Sequence, residues 1–145
     1  MPAEIDVEVY RTDKPIHAAH EVRRSVFVEG QDVPEAHEFD GNDQEAILVV
    51  ARVNNEVVGT ARFRSPEPGV GNVEKVAVRE AHRGTGVGRA IMERMDAIGR
   101  EEGVSTLSLH AQTHAEEFYE KLGYETVSDV YMQVDIPHVT MEKQL

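Results

Sequence analysis

The chain has 145 residues, 40% of them apolar, with 15 basic against 27 acidic side chains, a formal charge of −12 and no cysteine. That size predicts one domain, residues 1–145, with a core that needs no disulfide or metal staple. The missing thiols exclude disulfides, cysteine-ligated metals and thiol nucleophiles, and the acidic balance opposes binding to nucleic acid or an anionic membrane.

No apolar run approaches the ~18 residues of a membrane span, and the opening MPAEIDVEVY lacks a basic-then-apolar leader pattern, so a cytoplasmic protein is expected. The basic residues are eleven Arg and only four Lys. Acid without lysine suggests a halophilic surface, the alternative being an ordinary acidic protein with an arginine-rich site.

In chain order, residues 5–10 alternate apolar and polar, the period of a half-buried strand. Residues 14–27 place Ile16, Ala19, Val22, Val26 and Phe27 near helical spacing, with Thr12 and Asp13 as caps and Pro15 in the first turn. The polar run 29–43, broken by Gly30, Pro34 and Gly41, predicts an irregular loop with room for one helical turn. Residues 46–53 and 57–64 are two strand-like runs joined by Asn54-Asn55-Glu56. The prolines and glycines of 65–71 predict a turn, and 72–78 a further strand whose apolar residues mix the two faces. Val87, Ile91, Met95 and Ile98 mark the clearest helix, 86–102. A strand at 106–110, a short helix at 115–122 stopped by Gly123, and one or two strands around Pro137 complete an α/β order.

The most informative stretch joins the strand ending at Val78 to the helix beginning near Gly86. Between them stands Arg83-Gly84-Thr85-Gly86-Val87-Gly88-Arg89. Glycines let backbone N–H groups approach an anion, and a helix N-terminus adds about half a positive charge. The spacing is Arg-x-x-Gly-x-Gly, so neither the dinucleotide fingerprint nor the P-loop is met. Local charge agrees with an anion site: residues 75–100 carry a net +3, leaving −15 for the remainder.

This loop resembles motif A of the GNAT superfamily of N-acetyltransferases, and Ala115-Glu116-Glu117-Phe118-Tyr119-Glu120-Lys121-Leu122-Gly123-Tyr124 resembles the superfamily's A…FYEKLGF segment. Val26-Phe27-Val28-Glu29, Gln31, Val33-Pro34-Glu35, Glu38-Phe39-Asp40, Ala111-Gln112 and Ile136-Pro137-His138-Val139-Thr140-Met141 are similar to its ElaA-like branch, so the likeness spans nearly the whole chain. Gly30, where the branch more often has Glu, and Tyr124, for the usual Phe, are departures.

The resemblance implies a GNAT-like α/β (α+β) domain with a central mixed, mostly antiparallel sheet flanked by helices. It implies acetyl-CoA as donor and an amine of a small molecule or peptide as acceptor. The pyrophosphate would rest on the amides of Gly84, Thr85, Gly86, Val87, Gly88 and Arg89. Arg83 and Arg89 would reach the phosphates, and the pantetheine arm would add to the strand edge at Val76, Ala77 and Val78. Acetyl transfer requires a protonated leaving thiol and a neutral amine. Tyr119 is the implied general acid; Glu74 and His138 are the alternative bases. Glu38, Asp40 and Gln112 are placed at the acceptor, while packing of Phe118 and Leu122 would form the short helix's apolar face. The seven histidines show no metal-site spacing, so no metal is expected. A non-catalytic acyl-CoA-binding module, a nucleotide-binding fold, and a monomer or homodimer stay open.

Overall fold

The computed structural model describes residues 4–11, 16–35 and 46–145. Among them, eight strands form one sheet: β1 (Ile5–Tyr10), β2 (Ile47–Val53), β3 (Glu56–Glu67), β4 (Val70–Val78), β5 (Thr106–Gln112), β6 (Glu125–Thr126), β7 (Tyr131–Gln133) and β8 (Ile136–Gln144). Their order is β1-β2-β3-β4-β5-β8-β6, with β7 also on β8. Only β4 and β5 run parallel; every other neighbour is antiparallel. The helices are α1 (Ile16–Arg23), α2 (Val87–Glu101) and α3 (Glu116–Glu120). This is the mixed, mostly antiparallel GNAT-like domain that the motifs imply.

Strand β2 shows why helices cover both faces. Leu48, Val49, Val50 and Ala51 are all fully buried, and successive side chains of a strand point to opposite sides. Leu48 and Val50 join Ala19 of α1, whereas Val49 and Ala51 join Ile91 and Met95 of α2. The four-, four- and three-residue spacing of Val87, Ile91, Met95 and Ile98 is the face α2 presents to the sheet, and all four are buried.

The hairpin between β2 and β3 turns on Asn54 and Asn55, at φ +53° and +67°, the twist that a two-residue turn needs. The prolines and glycines of 65–71 do not form one long turn. β3 continues to Glu67, and the reversal contracts to Pro68 and Gly69. Pro66 falls where the register slips between Arg64 and Glu67, so its missing N–H costs no ladder bond. Gly71 lies inside β4 because the Phe63 ring crosses it: a Cβ there would stand 2.4 Å from Phe63 Cε2. Gly71→Ala is expected to lower the melting temperature by roughly 2–8 °C, the overpacking cost of a buried methyl in a domain of this size. An unchanged Tm in a thermal melt would contradict that packing.

The mixed faces of 72–78 come from a bulge. Arg62 pairs Glu74 but Thr60 pairs Ala77, leaving one extra residue on β4, and Lys75 takes φ +55°.

Helical backbone runs on from α1 through a π-helical turn, Arg24–Glu29, to Gln31, so the predicted loop starts later than residue 29. The predicted caps Thr12, Asp13 and Pro15, and residues 36–43 of that loop, lie outside the described residues. The short helix is also trimmed: a 3-10 turn, Thr113–Ala115, precedes α3, and Gly123 at φ +98° ends the helical segment. Pro137 does not divide the C-terminal strands. It sits in the second pair from the turn of the β7–β8 hairpin, opposite Met132, and the turn itself is made by Val134 and Asp135 at positive φ. No helix among the described residues is long and apolar enough to cross a membrane.

Candidate active site

The single parallel pair opens the site. β4 and β5 are hydrogen-bonded only across Val70–Thr106, Gly71–Leu107 and Asn72–Ser108. Beyond those pairs β4 runs on to Val78 and β5 to Gln112 without meeting. A cleft of about 600 Å³ fills the gap between them. Val76, Ala77 and Val78 line one side, and Leu109, Ala111 and Gln112 the other. Val26, Phe27 and Val33, Tyr119 of α3 and His138 of β8 complete the lining.

At the β4 end the cleft reaches Arg83, the residue that precedes the glycine loop. Gly84 and Gly86 take φ +75° and +92°, which L side chains rarely adopt, and a Cβ on Gly84 would meet nothing within 4 Å. Gly86 caps α2, whose first backbone bond runs from Ala90 N–H to the Gly86 carbonyl at 3.0 Å. The preceding amides of a helix have no intrahelical acceptor and carry its positive pole. Arg83 is anchored by its Nε–H donating to the Val78 carbonyl at 3.1 Å, and the Thr85 hydroxyl donates to the His82 carbonyl. Glycines at positive φ, open space and a helix end beside an arginine fit a pyrophosphate. Gly88 has a different reason: a Cβ there would stand 3.1 Å from the Phe118 ring, so it makes room for an aromatic. Arg89 is exposed, outside the cleft lining, and its Nε–H donates to Glu93 at 3.0 Å. Arg94 and Arg100 are exposed.

The aromatic pair in α3 is reversed from expectation. Phe118 is 37% exposed, whereas Tyr119 is 8% exposed and turned into the cleft. Tyr119 packs edge-on against Phe118 and Tyr124, with ring centroids 5.0 and 5.8 Å apart. α3 has only five residues, so helical periodicity is a poor guide to its buried side. Burial pushes the Tyr119 phenol well above its ordinary value and keeps it protonated.

Glu74 lies in the cleft wall but is tied down. Arg64 donates to both its oxygens, at 2.7 and 2.9 Å, and Arg62, itself 1% exposed, donates at 3.0 Å. Burial would raise its carboxyl, but the Arg64 and Arg62 guanidinium groups outweigh that and hold it below its ordinary value. The pair thus stabilises the fold fully above the ordinary value of 4.5, and that stability is lost as pH falls through the lowered one. Glu74→Gln is expected to lower stability at neutral pH and to flatten its loss as pH falls below the ordinary value of 4.5. Urea unfolding across that range checks this, and equal acid sensitivity in both proteins would contradict it.

His138, 7% exposed, donates from Nδ1 to the Ile136 carbonyl at 2.7 Å, which in the neutral ring leaves the lone pair on Nε2. Its ring stacks on Tyr131, 6.2 Å between centroids. The Gln112 Nε2–H donates to Gln31 Oε1 at 2.7 Å, and Gln112 Oε1 accepts from His114 Nε2 at 2.6 Å. Gln112 therefore ties the end of β5 to the segment after α1. Glu38 and Asp40 lie outside the described residues. Arg62 and Tyr131 were not singled out from the sequence, and Gln31 and His114 were given no role at the site. Arg62 sits in a strand whose bulged partner hides which residues face each other, and Gln31 meets Gln112 across 81 positions of chain.

A model of the acetyltransferase (GNAT) domain matches residues 15–145. A Bacillus subtilis protein provisionally named an acetyltransferase is 38% identical over 143 residues, 97% of each chain. The crystal structure of Escherichia coli ElaA is 26% identical and superposes with a TM-score of 0.86 over 97% of this chain and 99% of its own. An acyl-CoA N-acyltransferase from Pseudomonas aeruginosa, 28% identical, does so with a TM-score of 0.85 over 97% and 99%. With the split sheet, the glycine cradle and this coverage together, the chain belongs to the GNAT family of acetyltransferases.

Proposed function

We propose that this protein transfers the acetyl group of acetyl-CoA to a primary amine of a small molecule or peptide. The observation that carries the reading is the continuity of the cleft, which runs from Arg83 beside the glycine cradle, along Val78, Ala77 and Val76, to Tyr119 and His138. The acyl-CoA named for the Pseudomonas relative supports the same donor. Acetyl-CoA supplies an activated acyl group as a thioester.

The chain's own residues divide the work. Amides of Gly84, Thr85, Gly86, Val87, Gly88 and Arg89 receive the pyrophosphate, with Arg83 supplying charge at the cleft end. The bulge at Lys75 takes β4 out of register with β3, and backbone groups of Val76, Ala77 and Val78 then bond the pantetheine arm as an added strand. Tyr119 gives its proton to the departing sulfur. Its dry surroundings raise the phenol, but they raise a thiolate's proton affinity too, so the transfer stays matched.

Between the two bases, a carboxyl held low by two guanidinium groups is the weaker acceptor of a proton. His138 therefore takes the amine proton at Nε2. Glu74, kept ionised, holds Arg62 and Arg64 at the cleft wall, and Gln112, with Glu38 and Asp40, orients the acceptor. The test is thiol release from acetyl-CoA across a panel of amines, with the acetylated product identified by mass. Saturable transfer is expected. A protein that binds CoA tightly but releases no thiol with any amine would instead be an acyl-CoA-binding module.

A further inference from the structure

Three strands bring polar side chains to one face of the sheet. Val139 and Met141 of β8, with Leu109 and Ala111 of β5, belong to the core packed under α2. Their neighbours His138, Thr140, His110 and Gln112 therefore point the other way. The turn of Val134 and Asp135, both at positive φ, sets the register of β7 on β8, and Tyr131 falls directly opposite His138. A slip of one residue would turn Tyr131 to the core side.

The rings then meet in sequence. Tyr131 stacks on His138 with 6.2 Å between centroids and 19° between planes, and His110 meets Tyr131 edge-on at 5.8 Å and 85°. The Tyr131 hydroxyl shares a hydrogen bond of 3.0 Å with Thr140 Oγ1, and the Thr140 N–H donates to Ser128 Oγ at 2.8 Å. The phenol is thus held at its tip, its face and its flank. Among the described residues, His138, His110 and Gln112 line the cleft and Tyr131 does not.

A base must present its lone pair in the direction from which the proton comes. The bond from His138 Nδ1 to the Ile136 carbonyl fixes the tautomer and one atom of the ring. It does not set the plane, because the imidazole can still tilt about that bond. A second ring laid against its face does.

We propose that Tyr131 is a positioning residue for the transfer: its stacked ring sets the plane of the His138 imidazole, and so the direction in which Nε2 meets the amine. The inference rests on the reading of His138 as the base. Tyr131 touches no reactant and acts through His138. Displacement of a catalytic group by about 1 Å costs up to about a hundredfold in rate, so a tilted ring is enough to matter.

A double-mutant cycle in steady-state kinetics on an accepted amine tests this. Tyr131→Leu removes the ring and is expected to lower kcat about tenfold, with the KM for acetyl-CoA unchanged within twofold. Tyr131→Phe keeps the ring and should retain at least about a third of kcat. His138→Gln should lower kcat about a hundredfold, and Tyr131→Leu added to it should cost less than about twofold more. Should Tyr131→Leu melt below the assay temperature, Thr140→Val gives the same comparison, because it releases the phenol and leaves both rings in place. It should cost about threefold alone and less than about 1.5-fold beside His138→Gln. An unchanged kcat in Tyr131→Leu, an equal loss in Tyr131→Phe, or a full tenfold further loss beside His138→Gln would overturn the proposal while the base stood. An undiminished kcat in His138→Gln would overturn the base, and the proposal with it.

Discussion

Replacing Tyr119 by Phe is expected to lower kcat about a hundredfold, with the affinity for coenzyme A unchanged within twofold. The substitution removes one hydroxyl, which makes no hydrogen bond among the described residues, and keeps the ring that packs on Phe118 and Tyr124. Folding should therefore be unaffected, and Tm serves as the control. An acid that acts only as the carbon–sulfur bond breaks contributes to the transition state alone, so kcat and kcat/KM should fall together. If Tyr119 only filled space, turnover would not change. Steady-state kinetics on any accepted amine decides between these outcomes.

The second large effect is expected at Gly86. Gly86→Asp should weaken coenzyme A binding by about a hundredfold or more. Two causes add. The residue at this position takes φ +92°, so a side chain strains the turn that presents the amides. A carboxylate about 5 Å from a pyrophosphate adds roughly 3 kcal/mol of repulsion at an effective dielectric near 20. Gly86→Ala separates them, since its Cβ would have 3.8 Å of room to Ile5 Cδ1 and it brings strain without charge. It should lose about tenfold at most. Retained affinity in Gly86→Asp would remove the pyrophosphate from this loop.

Much of this was legible in the sequence because local rules govern it. The period of α2, the alternation of β1 and β5, and the strand–glycine–helix junction at 78–89 each depend on residues close in the chain. What eluded the sequence depended on tertiary pairing. Pro66 read as part of a turn, but β3 carries it through a slip of register against β4, and Pro137 lies within the pairing of β7 and β8, opposite Met132. Phe118 read as the packed ring because α3 was expected to be longer; Gly88 and the cleft decide instead that Tyr119 is the buried one. Glu74 reads as a free carboxylate until the bulge at Lys75 sets it opposite Arg62, with Arg64 beside it. The Gln31–Gln112 pair joins distant segments and carries no local signal at all.

The charge balance follows the same division. An average of −12 conceals the +3 of residues 75–100, and only the fold shows that Arg83 faces the cleft while Arg89 turns along the outside of α2.

The most direct test of the central claim is a calorimetric titration of acetyl-CoA into the protein, run beside ATP and NAD. One saturable site for acetyl-CoA, competed by coenzyme A and not by ATP or NAD, is the predicted result. Binding of ATP or NAD in preference to acetyl-CoA, or no saturable binding of acetyl-CoA, would contradict it.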